Sequence, residues 1–146
     1  MKGTKKMKDL YNKIEVTQVL DPVVWSATAT YTDIDLQGSN SACLLINVGL
    51  DAGSGLGASH KIVGTLYDSP DGTTYTLVET ADMVNLTVTD GVVLTIDAVG
   101  EDNTIYKLGY VGGKRYLQLI LTETGTVSVP LSITLIKGDP EVAPVA

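Results

Sequence analysis

The sequence predicts an all-β protein: an antiparallel β-sandwich or jelly-roll-like barrel of about eight strands, with under about 15% helix. Strict period-two alternation in several segments, turn chemistry where such strands must reverse, and the lack of any amphipathic helical pattern all point there.

Taken in chain order, Trp25, Ala27, Ala29 and Tyr31 alternate with Ser26, Thr28 and Thr30, a half-buried strand pattern. Cys43 to Leu50 is apolar enough to predict a strand covered on both faces. Between them and the next strand, residues 49–59 (GLDAGSGLGAS) carry four glycines and read as a flexible loop. Ser69-Pro70-Asp71-Gly72 then supplies Pro to preset φ and Gly to accept positive φ, which predicts a hairpin between strands ending near Tyr67 and beginning near Tyr75. Val84, Leu86 and Val88 alternate with Asn85, Thr87 and Thr89, and Leu94 and Ile96 with Thr95 and Asp97. Asp90-Gly91 between those two runs is a strong hairpin signal, and Gly112-Gly113 precedes the next run, where Leu117, Leu119 and Leu121 alternate with Tyr116, Gln118 and Thr122. Val127, Val129, Leu131, Ile133 and Leu135 form the longest alternation, and Pro130 within it predicts an edge strand or a bulge because it lacks an amide donor. Leu94, Ile96, Leu119, Leu121, Ile133 and Leu135 are expected to share one core.

Three units follow: an extended basic arm over 1–20, a β-sandwich over 21–137, and a weakly ordered tail over 138–146 (GDPEVAPVA). A chain of 146 residues can bury roughly 68–70% of its unfolded surface, enough for one core. One cysteine precludes an internal disulfide framework, and one Cys with one His falls short of the usual zinc ligand sets. The apolar runs are far shorter than the ~20 residues of a spanning helix, and the basic N-terminus lacks the apolar region of a secretory signal, so the chain reads as soluble, with no membrane partner.

Charge is segregated. Residues 1–13 hold five lysines against Asp9, a local charge of +4, whereas the remainder carries five basic and sixteen acidic groups, −11. Such a body repels phosphate, and the single Arg gives little capacity for base or phosphate recognition, so nucleic acid is not an expected partner. The arm interleaves apolar and basic side chains: Lys5, Lys6, Met7, Lys8, Leu10, Tyr11, Lys13 and Ile14 are the candidate partner-binding residues, with the lysines steering toward an acidic surface and the apolar groups supplying burial. Fully extended, 13–20 residues reach roughly 45–70 Å.

Candidate chemistry is sparse. The Gly-rich loop lacks the following Lys-Ser/Thr and helix of a phosphate cradle. Cys43, beside Leu44-Leu45-Ile46, reads as a small buried hydrophobe, and His60 as a strand-end residue. Asp33 with Asp35, Asp68 with Asp71, and Glu101 with Asp102 read as solvated turn carboxylates without EF-hand spacing. Trp25 and the seven tyrosines read as core and interface residues rather than a sugar platform. No catalytic residue, cofactor or metal is expected.

Two segments carry a resemblance. Tyr67 to Val78 (YDSPDGTTYTLV) resembles the S-x-DG-x-x-[YFW] hairpin of small β-sandwich modules, including phage virion proteins and some sugar-binding modules. Tyr110 to Leu121 (YVGGKRYLQLIL), followed by TVSVPLSITLI and KGDP, resembles small structural proteins encoded among the head and tail genes of tailed bacteriophages and prophages. The resemblance implies a non-enzymatic virion component, foremost a capsid decoration (cement) protein. It would be made in the host bacterial cytoplasm and bound on the capsid surface to the major capsid protein or another virion protein, often as a homo-oligomer such as a trimer. A tail or head-tail connector component, a carbohydrate-binding β-sandwich using Trp25 or exposed tyrosines, and a hydrolase are the alternatives.

Overall fold

The structure, a computed structural model, describes residue 3 and residues 6–142. It is a two-sheet antiparallel sandwich, 56% strand and 4% helix. Among the described residues nine strands follow in chain order: β1 (Ile14–Trp25), β2 (Ala29–Asp35), β3 (Ser39–Val48), β4 (Lys61–Ser69), β5 (Thr76–Leu77), β6 (Val92–Ile96), β7 (Thr104–Tyr110), β8 (Tyr116–Thr124) and β9 (Val129–Pro140). Sheet A has the order β1-β9-β3-β7. Sheet B has the order β2-β8-β4-β5, with β6 also paired to β4.

The central strands carry the clearest alternation. Leu117, Leu119 and Leu121 of β8 and Val129, Leu131, Ile133 and Leu135 of β9 are all buried, and Leu94 and Ile96 of β6 join the same cluster. The six residues expected to share a core therefore do so. Their partners across each ladder point inward in register, as Ile133 does with Ile46 and Leu119 with Leu66.

Several expectations are corrected. The arm is shorter than residues 1–20, because the chain enters sheet A at Ile14, which pairs with Gly138. The tail is likewise shorter than 138–146: β9 runs to Pro140, opposite Ser39, and the Glu141 amide bonds to Gly38 O. The alternation through Trp25 and Tyr31 is divided by residues 26–28, where the chain passes from β1 in sheet A to β2 in sheet B. In β3 only Leu44, Ile46 and Val48 are buried, while Cys43 and Leu45 are half-exposed on the outer face, so this strand is covered on one side alone.

Pro130 lies in a strand flanked on both sides, contrary to the edge expectation. Its carbonyl accepts the Gly49 amide on the β3 side, so its missing N–H points the same way, just beyond the last β3 residue, Val48. The acceptor that an amide there would meet, Gly49 O, takes the Asn103 amide instead, so it is not left unpaired. A Cβ at position 49 would lie 3.0 Å from the Pro130 ring, which accounts for the glycine.

Val84, Leu86 and Val88 form no strand. The Val84 amide bonds to Gly109 O, the chain turns at Asn85 with φ 52°, and the Val88 amide is taken by Thr80 Oγ1. Residues 78–91 thus pass from the β4/β5 edge to β7, closing one margin of the sandwich with buried Val78 and Met83 and half-buried Leu86 and Val88. Asp90 and Gly91 both adopt positive φ, the conformation of a tight primed turn, before β6. The 49–59 loop is pinned rather than loose: the Asp51 carboxylate accepts the amides of Gly53, Gly55 and Ser128, and the Ala52 amide bonds to Ser128 O.

Leu119 is wholly buried in a central strand. Leu119→Ala is expected to cost about 2–5 kcal/mol in urea unfolding; a loss under about 1 kcal/mol would contradict the core assignment.

Candidate functional site

The arm leaves the sandwich at the end where β4 and β7 finish and β3 and β8 begin. Among the candidate arm residues, Met7, Leu10 and Tyr11 are 87%, 64% and 86% exposed, and Lys6, Lys8 and Lys13 are exposed with them. Lys5 lies outside the described residues. Ile14 is half-buried as the first residue of β1, so it belongs to the sheet rather than to the arm. Just before it, Tyr11–Lys13 form one 3-10 turn, and the Asp9 carboxylate accepts both the backbone amide and the side-chain amide of Asn12. These bonds hold the Asp9 carboxyl below its ordinary range. Three apolar side chains are presented to water beside lysines, with no core of their own.

The body beneath the arm is closed by charges, and the expectation of solvated turn carboxylates fails for two of them: Asp35 and Asp68 lie in β2 and β4 and are ion-paired, and Asp68 is buried. Alternation in β4 puts Asp68 on the inward face after Ile62, Gly64 and Leu66. A buried carboxylate needs partners. Tyr110, the last residue of β7, donates its hydroxyl at 2.8 Å; Lys114 Nζ donates at 2.7 Å and Thr76 Oγ1 at 3.1 Å. Asp68 and Thr76 come from sheet B and Tyr110 from sheet A, so this cluster fastens the two sheets at that end. Burial, then the bond to Asp68, raise the Tyr110 hydroxyl far above its ordinary value, so it stays a donor.

Lys137 repeats the pattern in β9. It continues the inward parity of Leu131, Ile133 and Leu135, is 8% exposed, and donates to Gln37 O at 3.1 Å while facing Glu15 Oε2 at 3.2 Å. Arg115 grips Asp35 with two nitrogens at 2.9 and 2.8 Å. That contact, ahead of the Gln37 amide, holds the Asp35 carboxyl down at about 2. Between β1 and β2 lies a groove of about 590 Å³ whose walls include Thr17, Tyr31 and Asp33, with Glu15, Asp35 and Lys137 at its charged end. A charged residue at inward parity was the available signal: Asp68 and Lys137 each interrupt an apolar alternation.

The other candidates serve the fold. The Asp68–Asp71 pair is split, since Asp71 lies in the turn and accepts the Thr73 and Thr74 amides and the Ser69 hydroxyl, which hold it well below the usual carboxylate range. Glu101 caps the Asp97 and Ala98 amides, and Asp102 accepts the Asp51 amide. Among the described residues no group of three or more His, Cys, Asp and Glu converges. His60 Nδ1 accepts the Thr126 amide, and the half-exposed Cys43 thiol is pushed up by burial. Trp25 is buried with its indole N–H unpaired, so its ring is used for packing. Of the tyrosines near the outer face of sheet B, Tyr75 is bonded to Asp33, and Tyr116 lies beneath Gly72 with the Arg115 guanidinium 4.8 Å from its ring centre. No helix of the described residues is long and apolar enough to cross a membrane.

Comparison with protein families, curated proteins and solved structures finds no match to this chain.

Two outcomes test the charged end. Lys114→Met leaves a buried anion and is expected to cost about 3–5 kcal/mol. Asp68→Asn leaves a lysine that is 38% exposed and can turn to water, and should cost less, about 1–3 kcal/mol; urea unfolding at neutral pH with the reverse order would contradict this. The Asp35–Arg115 pair, depressed from 3.8 to about 2, contributes stability above about pH 4 that is lost as pH falls through about 2. Asp35→Asn should accordingly flatten the stability–pH curve over that interval, and an unchanged slope would show the pair to be inert.

Proposed function

We propose that this chain is a non-enzymatic structural protein of a tailed-phage virion, a capsid decoration protein that binds the assembled head shell through its N-terminal arm. The observation that carries this reading is the arm itself. Met7, Leu10 and Tyr11 stand exposed among lysines, on a body whose charge has the opposite sign. A tail that only solubilised the chain would have no use for those apolar side chains. A partner surface that is acidic and grooved would satisfy both kinds, with the lysines speeding encounter and the apolar groups holding the docked state. The resemblance of Tyr67–Val78 and of the segment from Tyr110 to virion proteins supports the same assignment, and names the major capsid protein as the neighbour.

The body supports it physically. From Ile14 onward the strands are paired without help from the arm, so the arm is free to spend its contacts elsewhere. Ordering it on a partner costs entropy, which many copies on one shell would offset.

Deletion of residues 1–13 tests the reading. The truncated protein is expected to keep its far-UV spectrum and unfolding midpoint, while its affinity for purified capsids lacking this protein falls at least tenfold. Raising salt should slow association of the full chain more than it speeds dissociation. Undiminished binding by the truncated protein would remove the arm from the interface, and binding of the full chain to purified tails but not heads would move the protein to the tail.

A further inference from the structure

The outer face of sheet A is an uncovered apolar surface. One row across it reads Val16 of β1, Ile136 of β9, Cys43 of β3 and Gly109 of β7. Val84 lies over Gly109, where a Cβ would come within 3.1 Å of its methyl group. The next row is Gln18, Thr134, Leu45 and Lys107, and a third holds Ser132, Asn47 and Ile105. Val16, Val84 and Ile105 are 59%, 48% and 61% exposed. Lys107 is the only charged side chain in these three rows.

We propose that this face is the contact between two copies of the chain, packed sheet to sheet about a two-fold axis that runs along the strands. Three considerations favour a second copy. First, each copy carries a net charge of −7, so two copies approach at least cost through a face that presents no carboxylate in these rows. Second, an axis along the strands keeps each row against itself and exchanges the margins. It thereby sets Lys107 of each copy over Gln18 of the other, a charge against a neutral acceptor, formed twice. Third, the size suffices. With the further row of Val24 and Pro130 the face runs over residues 130–136 of β9, and four strands about 4.8 Å apart by these seven residues about 3.3 Å apart cover roughly 450 Å² in plan, so that with side-chain relief a pair buries on the order of 1,000 Å², the lower bound for specific association. The outer face of sheet B is partly covered instead, since the 70–75 turn packs onto Tyr116 and Tyr75 bonds to Asp33.

The contact does not depend on capsid binding or on the arm, so the two readings fail separately. Sedimentation equilibrium of the full chain from about 1 μM to about 200 μM is expected to show a mass rising to twice 15.4 kDa. Deleting residues 1–13 should leave that dimer intact. Leu45→Lys should give a monomer throughout the range. Should Leu45→Lys unfold the chain, Val16→Glu, at an exposed edge position, serves instead and should weaken pairing at least tenfold. Alkylation of Cys43, at the centre of the face, is expected to slow as the protein concentration rises. A wild-type monomer at the highest concentration, a trimer mass, a dimer indifferent to both substitutions, or Cys43 protected only on capsids would each overturn the proposal.

Discussion

The sandwich rests on the apolar cluster to which two of its central strands, β8 and β9, contribute their inward faces. β8 is flanked by β2 and β4 in sheet B, and β9 by β1 and β3 in sheet A; they are consecutive in the chain, and their inward leucines, isoleucine and valine are buried in one cluster. Each such side chain contributes about 1.5–3 kcal/mol on full burial. The neighbouring strands are aligned by those two, since a ladder slipped by one residue would turn every inward side chain to water. Most successive strands alternate between the sheets, so few of these contacts are local in sequence, a topology that folds slowly for its size.

Charge completes what the apolar contact begins. At the arm end the inward parity of β4 and β9 delivers Asp68 and Lys137 in place of further hydrophobes, and each is met by partners from other strands. Such groups add little net stability once desolvation is counted. They do fix register, because a shifted β4 or β9 would bury its charge without those partners. The opposite end uses carboxylates differently: Asp51, Glu101, Asp102 and Glu123 accept loop amides and draw the connections down over the core.

How much of this could be read from the residues depended on whether the decisive contact was local. The alternation of β8 and β9 is local, and so is the chemistry of the Ser69–Gly72 and Asp90–Gly91 turns, so these were legible. Val84 to Val88 carries the same period-two signal without being a strand, because Asn85 turns the chain and its apolar groups fill the margin beside β7. Pro130 was misplaced for a related reason: an absent donor disfavours a central strand only if a partner awaits it, and β3 has already ended there. The break between Trp25 and Tyr31 is tertiary, set by the passage from one sheet to the other. In the candidate site, the exposed lysines and apolar residues of the arm were legible from composition. The Asp68 and Lys137 clusters were not: Thr76 is 8 residues from Asp68, but Tyr110 and Lys114 are 42 and 46 residues from it and Gln37 is 100 residues from Lys137, so only sheet pairing brings these groups together.

The chain thus divides into a self-sufficient body and an exposed arm, which we propose orders on a neighbour. Amide hydrogen exchange over residues 6–13, with and without purified capsids lacking this protein, tests that division most directly. The arm amides are predicted to exchange rapidly in the free protein and to gain at least tenfold protection on the capsid, while the body amides of β8 and β9 stay slow in both states. Arm amides that remain fast on the capsid while body amides gain protection would contradict it.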